Sequence, residues 1–320
     1  MPPFTLAALL LLCAATAGAA DDFAYVRAIP TGERVAIVDT RSLGDCRTRS
    51  LEGARCLPSS DFLGPHHRLP DARNLLWLLG TAGLAGDERV LVVGQDVAAR
   101  DFVAGLLHVA GQRSVLVLTE PVGRALAAGA PAGAGRERST IREAVFESPM
   151  RDGLLVLRDE LVAMHPRPVL LDGRTDREYW GETARASRTG HLPGAVSLPA
   201  VQLRSALDPA AARPVLPGPS DAPPVAYAHD AYEGLAYLTL LVAGHGVRAR
   251  LYAEGWAEWA ADGALPADAA GFPERATAVA ARDPVPAPAG TRSLAMLAAA
   301  LAFALSAFAF GWWAARRRPA

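Results

Sequence analysis

The chain has 320 residues, a net charge of −1 from 32 basic residues (all Arg) and 33 acidic ones, and an apolar fraction of 51%. That length fits about two domains of ordinary size. The charge balance excludes a nucleic-acid binder that depends on a basic surface, and the composition excludes a disordered or collagen-like chain.

In chain order, residues 6–17 are almost wholly apolar, and Ala17-Gly18-Ala19 has the small-x-small pattern of a signal-peptidase site. Residues 1–20 therefore read as a signal peptide, too short to span a bilayer. Buried-strand patterns follow at 34–39, 89–93 and 114–118, with helical spacing over 74–81 and 98–110. The Gly/Ala/Pro stretch 127–135 closes a first unit of 24–135, and 136–152 reads as a connector. A second unit of 153–275 repeats the order. Its strands are expected at 168–172, 195–198, 225–228 and 249–252, and its helices at 157–164, 232–243 and 256–261. Apolar strands alternating with helices imply an α/β fold of parallel sheets with helices on both faces. Residues 276–293 read as a Pro/Ala stalk. The uncharged run 294–315 makes about 33 Å of helix, a transmembrane span, and the Arg-rich tail 316–320 points into the cytoplasm. The body is then expected in the periplasm or outside the cell. The anchor also resembles a cleavable C-terminal sorting signal.

The two units are alike. Each has a strand ending in Asp-x-Arg (Asp39-Thr40-Arg41 and Asp172-Gly173-Arg174) and a Gly-containing turn into a second strand. Each then has a later strand, a six-residue loop and an apolar helix ending in Gly, at Gly111 and Gly244. The run from Leu171 to Glu182, the turn Gly190-His191-Leu192-Pro193-Gly194 and the segment Gly255-Trp256-Ala257-Glu258-Trp259 resemble a rhodanese homology domain. The first unit is similar but degraded. The resemblance covers residues 24–275 and implies the tandem architecture of thiosulfate and 3-mercaptopyruvate sulfurtransferases.

In that family a Cys ends a strand of the second domain and opens a loop whose N–H groups lower its pKa, so that the thiolate can take a sulfane sulfur. At the matching position this chain has Ala228, followed by His229, Asp230, Ala231, Tyr232 and Glu233; in the first unit it has Gly94. Ala cannot carry sulfur, and Asp230 and Glu233 oppose an anionic donor. The resemblance therefore implies a vestigial pocket, with Arg188 where relatives can place a substrate-contacting Arg, and no catalytic residue by the family mechanism. His191 reads as a turn-holding residue. His66-His67 has no further ligand spaced nearby, and no metal or cofactor is expected.

Cys46 and Cys56 lie ten residues apart. They read as a disulfide, as two buried thiols or as a redox or sulfur-carrying pair. Three functions follow. The first is a membrane-anchored, non-catalytic binding or scaffold module for an envelope protein or a small sulfur compound. The second is a sulfurtransferase or thiol-redox enzyme using Cys46 or Cys56. The third is a metal- or anion-binding accessory protein using His229, Asp230 and Arg188.

Overall fold

The runs at 89–93 and 114–118 are apolar on both faces, and such strands are stable only where both faces are covered. In the computed structural model, which describes residues 22–269 apart from 33, 65–66, 213 and 217–221, both are interior strands of a parallel sheet. The described residues lie within one compact unit.

The first half runs β1 (Phe23–Val26), β2 (Ala36–Asp39), α1 (Leu43–Thr48), β3 (Ser50–Leu51), β4 (Arg55–Cys56) and α2 (Ala72–Thr81). It continues with β5 (Arg89–Val93), α3 (Val97–Ala110), β6 (Ser114–Leu118), α4 (Val122–Ala127), β7 (Ala132–Gly133) and β8 (Arg136–Glu137). The second half comprises β9 (Leu155–Val156), α5 (Arg158–Ala163), β10 (Leu170–Asp172), α6 (Asp176–Tyr179) and β11 (Val196–Ser197). It ends with α7 (Ala200–Ser205), β12 (Val225–Tyr227), α8 (Ala231–Thr239), β13 (Arg250–Tyr252) and α9 (Gly255–Ala261).

The larger sheet has the order β1-β6-β5-β2-β4-β8 and the smaller one β11-β10-β12-β13-β9, with every pairing parallel. Read from opposite ends, the two orders coincide: β1-β6-β5-β2-β4 against β9-β13-β12-β10-β11. The Asp-x-Arg motifs coincide as well. Arg41 grips its own Asp39 and the carbonyl of Arg49; Arg174 grips Asp172 and the carbonyl of Gly190.

Several expectations are corrected. Arg136–Glu137 belong to the first sheet, paired with β4, so the connector starts after them. Each loop between the later strand and the long helix has three residues, not six, because Asp96 and Asp230 cap the helices and draw their first turns forward. β12 stops at Tyr227, one residue short. The helix that follows does end at Gly244, as expected, by a π-helical turn over Leu240–Gly244, and Gly246 follows in the left-handed conformation. Gly111 does close α3 in that conformation. The expected leader, stalk, membrane span and tail lie outside the described residues. Among those described, no helix is long and apolar enough to cross a membrane.

One hydrophobic cluster draws on both halves, joining Val92, Phe102 and Leu106 to Leu171, Leu235 and Leu251. The helices α3 and α8 meet at its centre. Gly105 of α3 lets the backbone of Leu235 approach so closely that a Cβ would collide with its carbonyl oxygen. Thr239 seals the contact by donating its hydroxyl to the carbonyl of Asp101, 2.7 Å away.

Candidate functional site

The chain leaves the sheet at Tyr227, whose hydroxyl donates to Asp172 at 2.6 Å. Ala228 is buried, with 2% exposure. Its carbonyl accepts the Trp256 N–H at 2.9 Å, and the carbonyl of His229 accepts the Ala257 N–H at 2.8 Å. The first turn of α9 is thus capped by the loop. Gly255 is needed there: its φ is +59°, and a side chain would strike the Ala228 carbonyl.

Asp230 is the N-cap of α8, one carboxylate oxygen accepting the Glu233 N–H at 3.0 Å. An amide of that first turn is therefore occupied by the chain's own carboxylate. Ala231, the first residue of α8, is buried. Asp96 does the same for α3 through the Ala99 N–H at 2.7 Å, after Gly94, where a Cβ would strike Thr40.

The charge of Glu233 is matched by Arg185, which spans both its oxygens, one at 2.8 Å, and reaches Glu178 at 2.7 Å. Glu178 closes a capping box with Thr175. Burial opposes its charged form, but the bonds from Arg185 and Thr175 outweigh burial and its pKa is lowered. His229 is half-buried. Burial first, then the charge of Arg185, lowers its pKa, so the imidazole is neutral near pH 7. Its Nδ1 is buried with no hydrogen-bond partner among the described residues.

The first half reaches this loop through His67, whose Nδ1 lies 3.3 Å from the second oxygen of Asp230. Its ring tilts against Tyr232, which packs on Phe102 of α3, and burial pushes the Tyr232 hydroxyl up to about 12. His66 lies outside the described residues.

Arg188 is engaged elsewhere. Its guanidinium donates to the carbonyls of Trp259, Asp262 and Leu265, tying down the end of α9. The cation at the loop is Arg185, three residues earlier, for which no local spacing gave a signal. His191 bonds the Tyr179 carbonyl at 2.9 Å and stacks on the Tyr179 ring. Cys46 and Cys56 are both buried, joined by a disulfide, in the first half. The loop thus offers a neutral imidazole, two compensated carboxylates and one arginine, with no thiol. Such a set can hydrogen-bond or accept a proton; it cannot form a persulfide.

Residues 157–262 match the Rhodanese-like domain family. This rhodanese-like domain belongs to the second half. Over 155 residues the chain is 28% identical to a Synechococcus elongatus protein named "Putative thiosulfate sulfurtransferase", covering 47% of this chain and 48% of that one. The chain therefore spans about half the length of the curated relative it matches. Among solved structures, a "Probable Thiosulfate Sulfurtransferase" is 25% identical with a TM-score of 0.54, covering 75% of this chain and all of that one. The anaerobic ergothioneine biosynthesis enzyme of Chlorobium limicola, complexed with trimethyl histidine, is 17% identical with a TM-score of 0.57. It covers 76% of this chain and 66% of its own, a likeness of fold. The fold is sulfurtransferase-related.

Proposed function

We propose that the chain is a membrane-anchored, envelope-facing binding protein, a tandem of rhodanese-like domains related to sulfurtransferases but without their transfer chemistry. Its partner is an envelope protein or a small sulfur compound. The observation that carries this reading is Ala228, buried where the chain leaves β12 and followed two residues on by Asp230 capping α8. A methyl group offers no lone pair to a sulfane sulfur, and a carboxylate on the helix N-terminus opposes an incoming anion. The matching strand orders of the two sheets support the tandem reading. The uncharged run 294–315 and its Arg tail support the anchor. The route through Cys46 or Cys56 has lost its support, since neither is a free, exposed thiol.

The test is sulfur transfer from thiosulfate and from 3-mercaptopyruvate to cyanide by the full chain. Activity at the uncatalysed background is expected, and activity above it overturns the reading. Ala228→Cys is expected to stay silent too, because the new thiol would be buried beside the Asp230 cap. Turnover by that variant alone would mean that the pocket still admits a donor. Membrane fractionation of the full chain against one ending at residue 293 tests the anchor.

A further inference from the structure

A cavity of about 470 Å³ opens between the two halves, and none of residues 228–233 lines it. Its accessible walls are the half-buried Leu69, Met150 and Leu155 of β9, laid over the buried Leu106 and Val109 of α3 and Leu235 of α8. That size and lining suit a small organic molecule. The charged residues around it are mostly acidic, and all but one carboxylate are matched. Glu160 pairs with Arg250 at 2.6 Å, Asp159 takes a bond from Arg158, and Glu258 takes the Tyr252 hydroxyl at 2.7 Å.

Glu254 is the exception. It lines the cavity half-buried and makes no hydrogen bond or ion pair among the described residues. Its ionised form is disfavoured by burial first, then by Glu258 and Asp230, with only the field of Arg68 opposing, so its pKa is raised. A half-buried carboxylate beside apolar walls and other carboxylates favours a ligand that brings a counter-charge.

A second cavity makes the contrast. There the corresponding strand ends, after β1 and β6, line a cavity of about 440 Å³ with Arg27, Arg100, Arg124 and Arg204 beside Glu120 and Asp208, Arg100 and Arg204 both being paired with Asp101. The fold thus forms a cavity between the halves twice, and carboxylates outnumber arginines only in the first.

We propose that the acidic cavity binds a small organic cation, its apolar body against Leu69, Met150 and Leu155 and its ammonium head at Glu254. Three probes with one skeleton separate the contributions: 4-phenylbutylamine, 4-phenylbutanol and 4-phenylbutyrate, titrated calorimetrically into the full chain at neutral pH. The amine is expected to bind about tenfold more tightly than the alcohol, the margin of one charge-assisted contact. The carboxylate is expected to bind most weakly. Glu254→Gln should bring the amine down to the level of the alcohol while leaving the alcohol unchanged. Equal binding of amine and carboxylate, no binding of the amine at millimolar concentration, or amine binding that Glu254→Gln leaves intact would each overturn the proposal. No sulfur donor enters the experiment, so its outcome is independent of the transfer assay.

Discussion

Asp230 meets His67 across the two halves, 3.3 Å between Oδ2 and Nδ1, with the oxygen that its helix cap does not use. The cap and the cross-half contact differ in weight. Loss of an N-cap carboxylate costs about 1 kcal/mol, whereas an ion pair to an imidazole that is 63% exposed contributes little. Asp230→Ala is therefore expected to destabilise by about 1 kcal/mol, much as Asp96→Ala does on α3, and His67→Ala should be nearly neutral. Urea titrations of the three variants decide it: a much larger loss for Asp230→Ala than for Asp96→Ala would show that the His67 contact carries real weight.

Gly105→Ala sets two effects against each other. In an open helix the change gains up to about 1 kcal/mol. Here the new methyl would strike the Leu235 carbonyl and the Thr239 hydroxyl. Overpacking of a close helix contact costs about 1–3 kcal/mol, so we expect a net loss of stability, read as a lower urea midpoint. A higher midpoint would mean that α3 and α8 can separate at no cost.

The Cys46–Cys56 bond closes a loop of ten residues. Chain-entropy reasoning gives about 2–3 kcal/mol for a loop of this length. Unfolding in the presence and absence of reductant should differ by that amount, and Cys46→Ala with Cys56→Ala should match the reduced protein. A sulfur-transfer baseline that moved with the reductant would reopen a role for these thiols.

Glu178 gives a pH signature. Its folded pKa is lowered, so its contribution is fully present above the unfolded value of about 4.3 and disappears as pH falls through the folded value. Glu178→Gln should therefore be less stable than the natural chain at neutral pH, with the gap closing in acid. A gap independent of pH would assign the loss to the shape of the capping box alone.

Legibility followed the range of the interactions. The strands at 89–93 and 114–118 were readable because their apolar runs are local and continuous. β1 and β9 were not expected: each is short, and each exists only by pairing with a strand distant in sequence, β6 and β13. The caps were present in the sequence as Asp96 and Asp230, yet the family's longer loop hid them. Arg185 and Arg188 sit three residues apart in the same irregular segment, and only the tertiary fold sends one to Glu233 and the other to the end of α9. No periodicity carries that information.

The shared cluster around Phe102 and Leu235 has a consequence for how the chain unfolds. Each sheet has a cluster of its own on one face, but its other face packs into the shared cluster, and each buried Leu withdrawn from that interface would forfeit about 1.5–3 kcal/mol. A cut after Glu137 would leave two fragments with greasy, unmatched faces instead of two small proteins. The stretch 157–262 even omits β9, the strand that completes its own sheet. What is recognisable as a domain by similarity is thus not a cooperative folding unit, and the described chain should melt in a single transition.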